Sequence, residues 1–67
     1  MVLSEKIEEL IRLGYSVAFS REIMHLKVLI SFNNCVKGQY IPMRDQFDEV
    51  YIVGAIDFLV NQIKLNL

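Results

Sequence analysis

Cysteine is all but missing from this chain: Cys35 stands alone, so no disulfide can form within it and the fold has no covalent staple. Tryptophan is absent, and there is one proline (Pro42), one histidine (His25) and three glycines. So few breakers leave no room for a flexible linker or a low-complexity segment. One histidine and one cysteine cannot close a zinc site, which normally takes four ligands. The Gly-rich phosphate loops and paired metal-binding histidines of the common motifs are also absent. The expectation is a non-enzymatic protein with no catalytic residues, no bound metal and no cofactor.

A basic excess is missing too. The formal charge is −1; residues 1 to 43 carry five bases against four acids, and residues 44 to 67 two against four. A nucleic-acid binder of this size usually shows a clear basic stripe, because phosphate neutralisation supplies much of its affinity. Long apolar runs are lacking as well. The run through Tyr51 to Ile56 falls far short of the ~20 residues that span a bilayer. The start, Met1 to Lys6, lacks the basic-then-apolar layout of a signal peptide. A cytoplasmic protein without membrane contact is expected.

What the chain does have is grease. Of 67 residues, 54% are hydrophobic and only 22% are charged. That length allows one domain, residues 1 to 67, which hides about 60% of the surface its unfolded chain exposes. The apolar content exceeds what a small domain with a wet surface needs.

Residues 4 to 13 read as an amphipathic helix. Leu3, Ile7, Leu10 and Ile11 share a face, Ser4 is placed to cap it, and Glu8 and Arg12 form an i,i+4 pair. Gly14 is placed to end it in a left-handed conformation. The period then drops to two. Tyr15, Val17 and Phe19 alternate with the small residues Ser16, Ala18 and Ser20, and Leu26, Val28, Ile30 and Phe32 form a second alternating run. Between these runs Arg21 to His25 must be the connection. Lacking glycine and asparagine, it is expected to be wider than a two-residue turn. Asn33 to Gly38 reads as a loop, and Gln39 to Pro42 as a short third strand ended by its proline.

The remainder reads as a helix from near Asp45, with Asp48 and Glu49 complementing its dipole rather than forming a cation site. Val50 to Val53 read equally well as a strand, but no breaker separates them from the helical stretch Asp57 to Lys64, and a helix is expected. The fold class is therefore α+β, a two-layer domain of order helix-strand-strand-strand-helix. Both helices are expected on one face of an antiparallel sheet. In outline this resembles small helix-and-hairpin proteins of phages and mobile elements. It also resembles partial-RNase-H-type antitoxin domains, which run three strands and a helix and pair as dimers. No residue matches a signature of either, so no activity is implied.

A helix apolar almost all round must be buried on almost all sides. The leading expectation is a homo-oligomer, a dimer, that binds another protein, with the subunit contact at Val53, Ile56, Val60 and Ile63. Asp57 is expected on a solvent-facing seam or paired with Lys64 or Arg44. The alternative is a nucleic-acid-binding accessory protein that gathers Arg21, Lys27 and Lys37 on one exposed face. His25 beside Glu22 is read as a turn-tip pair, and Cys35 as a small hydrophobe tucked under the loop.

Overall fold

A computed structural model of the protein describes residues 2–42, 44 and 48–66. The element order is α1 (Val2–Arg12), β1 (Ser16–Arg21), β2 (His25–Phe32), β3 (Cys35–Pro42) and α2 (Glu49–Leu65). The strands form one antiparallel sheet in the order β1-β2-β3. The α+β class and the order of elements are as the sequence predicts.

Leu3, Ile7 and Leu10 turn the apolar face of α1 inward, while Ile11 is left exposed. The helix begins at Val2, so Ser4 lies inside its first turn and is not its cap. Its far end closes as expected. Gly14 takes φ +94°, its N–H donates to the Ile11 carbonyl at 3.1 Å, and the Tyr15 N–H donates to the Leu10 carbonyl at 2.9 Å. These are the two bonds of a Schellman motif. They deliver Tyr15 into the core, where its ring stacks on Phe32 with centroids 4.5 Å apart.

The two hairpins differ in how they turn. Asn33 and Asn34 both hold positive φ, at 51° and 68°, and Phe32 pairs with Cys35. That is the two-residue type I′ geometry, which matches the natural twist of a hairpin. The third strand therefore starts four residues earlier than expected. Cys35 opens β3 rather than lying in a loop, and Gly38 is an interior strand residue without positive φ. A Cβ on Gly38 would stand 2.7 Å from Leu29 Cδ2, so the glycine accommodates that leucine. The first connection is tighter than its composition predicts. The Glu22 N–H donates to the His25 carbonyl at 2.8 Å, leaving only Ile23 and Met24 at the tip. Neither has positive φ, so the turn is not of the primed kind.

Residues 50 to 56 are helical. The start expected near Asp45 falls outside the described residues. Asp48 is the cap: its Oδ1 accepts from the Tyr51 N–H at 3.2 Å, and its carbonyl accepts the Ile52 N–H at 3.0 Å. Helix α2 lies against β2 and β3, and α1 packs against β1 and α2. The helices thus share one face of the sheet. Val28, Ile30, Ile41, Ile56 and Ile63 are completely buried between the layers. Among the described residues no polar or charged residue is buried.

Candidate association surface

Strand alternation decides where each sheet residue points. Directly opposed residues share a face, and that face alternates along the strand. Val17 opposes Ile30, so β1 aims Val17, Phe19 and Arg21 toward the helix side. Lys37 opposes Ile30 from β3 and lies on that side too. Lys27 pairs with Ser20 and Tyr40 on the opposite, open face. The expected basic patch of Arg21, Lys27 and Lys37 is therefore not assembled. Arg21 and Lys27 are out of phase by one strand step, and Lys37 sits on the far edge strand.

The other sequence-derived candidates are similarly dispersed. His25 begins β2 opposite Pro42, whereas Cys35 opposes Phe32 at the other end of β2. Roughly 20 Å of strand separates them at about 3.3 Å per residue, and they point to opposite faces. The His25 ring packs against Tyr40 at 5.1 Å, and Lys27 Nζ lies 5.5 Å from the same ring. Cys35, half-buried, packs against the core. Among the described residues no three potential ligands gather around a point that could hold a metal ion. No described helix is long and apolar enough to cross a membrane.

The proposed contact residues Val53, Ile56, Val60 and Ile63 need the largest correction. Ile56, Val60 and Ile63 are buried in the chain's own core and Val53 is half-buried, so this face of α2 is already occupied by the sheet and α1. The Ile- and Val-rich arc won the interior because it is the densest apolar arc on the helix. It meets Val28, Ile30 and Ile41 across the layer.

What remains outside is the surface of interest. The outward arc of α2 carries Val50, 80% exposed, Phe58, 56% exposed, and Leu65, 81% exposed, with Gly54 and Asn61 between them. These five recur at intervals of three and four residues and form one stripe along the helix. A Cβ added at Gly54 would meet nothing within 4 Å, so the stripe has an open notch one turn from Phe58. Along one flank Asp57 Oδ1 accepts from Lys6 Nζ at 2.9 Å, tying α2 to α1. This hydrogen bond, reinforced by the charges of Asp57 and Glu9 and opposed by partial burial, holds the Lys6 pKa above its ordinary value. Asp57 thus lies on the solvent seam as expected, but its partner is Lys6.

Beside that pair a groove of about 300 Å³ separates the helices, lined among others by Leu13, Tyr15, Asn61 and Lys64. Exposed Leu13 extends the apolar surface toward α1. A second concavity of about 360 Å³ runs along Glu5, Glu8, Glu9, Arg12 and Leu13, with walls from α1 and the turn after it. It brings no convergent chemistry together.

The signal for the outward arc was present in the sequence. Asp57, Asn61 and Lys64 stand at i, i+4 and i+7 and mark the solvent side of α2, and Val50, Gly54 and Phe58 flank them. No family model matches the chain, and neither does any curated protein or any solved structure.

Proposed function

We propose that this protein is a non-enzymatic homodimer that acts by binding another protein, and that its self-association surface is the outward arc of α2. The observation that carries this reading is the row Val50, Phe58 and Leu65, each more than half exposed on one helix face. Fully burying such a side chain contributes about 1.5–3 kcal/mol, and two copies together bring six of them to one contact. Left in water, exposed apolar side chains aligned on one helix face in this way favour burial against a second surface.

A separate apolar site supports the protein-binding part of the reading. Ile23, 93% exposed, and Met24 project from the β1–β2 tip, on a connection rather than on the helix pair. Methionine adapts its shape to different partners, which suits a recognition tip.

Sedimentation velocity of the wild type and of Phe58→Asp tests the proposal. The wild type is expected to sediment as a dimer at micromolar concentration, and Phe58→Asp as a folded monomer. A well-folded wild-type monomer across that range would overturn the reading.

A further inference from the structure

Building on that self-association, we infer that two copies pair through α2 in antiparallel fashion, about a two-fold axis passing between Asp57 and Phe58. The outward stripe is symmetric about that point in the kind of position it presents. Val50 and Leu65 lie equally far from it on either side, and so do Gly54 and Asn61. A two-fold axis there lays Val50 on Leu65 of the second copy, at both ends of a stripe roughly 22 Å long at 1.5 Å per residue. It sets the side-chain-free notch at Gly54 against Asn61, a large residue against a vacant one. The two Phe58 rings meet near the axis, at the centre of the contact.

Charge selects the same direction. Helix α2 starts at exposed Asp48 and carries exposed Lys64 in its last turn. Antiparallel pairing brings each acidic start beside the basic end of the other copy and opposes the two helix dipoles favourably. Parallel pairing would set acid beside acid and base beside base. It would also place Gly54 on Gly54, leaving a gap one turn from the bulkiest residue of the stripe. An isologous contact of this kind closes on itself and stops at two copies, whereas a head-to-tail contact need not.

Oxidative cross-linking reads the direction. In a Cys35→Ser background, one preparation carries Val50→Cys and a size-tagged one carries Leu65→Cys. Each is oxidised alone and then after mixing, and products are resolved without reductant. Disulfide formation needs Cα atoms within about 7 Å, so only residues that face each other cross-link efficiently. The expected result is a several-fold excess of the mixed Val50→Cys/Leu65→Cys product over either self-linked product. Self-linking of Val50→Cys that equals or exceeds the mixed product would overturn the antiparallel arrangement. So would a background protein that sediments as a dimer yet cross-links at neither position. A background protein that sediments as a monomer would overturn the self-association itself, and the arrangement with it.

Discussion

Lys6 Nζ and Asp57 Oδ1 lie 2.9 Å apart, joining the first helix to the last across 51 positions of sequence. Lys6 is about one-quarter exposed and Asp57 about half, so solvent screens the pair and its contribution is about 0.2–1 kcal/mol. The Lys6 pKa is raised above its ordinary value of 10.5, chiefly by the hydrogen bond to Asp57. A raised lysine contributes stability that is fully present below its unfolded pKa. That stability is lost as pH rises through the higher folded value. Urea denaturation of the wild type and Lys6→Met between neutral pH and pH above 10.5 should show the difference shrinking at the alkaline end. An unchanged difference across that range would mean the pair does not contribute as described.

The two faces of α2 should respond in opposite ways to substitution. Ile56 is completely buried, and Ile56→Ala should cost about 2–5 kcal/mol of folding stability. Phe58→Ala removes a ring that stands more than half in solvent and should change the stability of a single chain by about 0.5 kcal/mol or less. Denaturation at low protein concentration, where association does not contribute, separates the two. Equal costs would contradict the assignment of faces.

Two glycines predict contrasting costs. Gly14 holds φ +94° at the end of α1, and Gly14→Ala should destabilise by about 1–2 kcal/mol because an L side chain is strained there. A Cβ at Gly38 meets only the tip of Leu29 at close range, and that flexible side chain can turn aside toward solvent. Gly38→Ala should therefore change stability by less than about 1 kcal/mol. Chemical denaturation of the two variants should rank them in that order.

Capping provides a further contrast. Asp48 Oδ1 accepts the Tyr51 N–H, and Asp48→Ala should cost about 1 kcal/mol. Ser4 is exposed inside α1, so Ser4→Ala should stay within about 0.5 kcal/mol. A larger loss from Ser4→Ala would place the start of α1 elsewhere.

These outcomes bear on how much the sequence discloses. The change of period at Gly14 and the asparagine pair at 33 and 34 mark real boundaries, since a left-handed residue is required at each. The order of elements follows from such signals. The orientation of α2 is marked only by the polar row Asp57, Asn61 and Lys64, because apolar residues occupy most of its circumference and apolar periodicity alone cannot choose between Ile56 and Phe58. The choice is made by the sheet, whose inward row of Val28, Ile30 and Ile41 receives the denser arc. Alternation could have separated Arg21 from Lys27 beforehand. Arg21 continues the phase of Val17 and Phe19, while Lys27 interrupts that of Leu26 and Val28. The early start of β3 was hidden because Val36, Lys37, Gly38 and Gln39 show no clean alternation. The tight first turn was hidden because neither of its tip residues has turn chemistry.

The strand order, which follows chain order, also bears on the time course of folding. Each strand pair closes only a short loop, so the sheet can zip up at little entropic cost. The contact between α1 and α2 instead requires the first and last elements of the chain to find one another. Meeting of the two helices over an already zipped meander is thus expected to be the slow step. A Leu10→Ala substitution should then retard refolding more than a substitution at the Ile23 tip does, and stopped-flow refolding would reveal the opposite ranking.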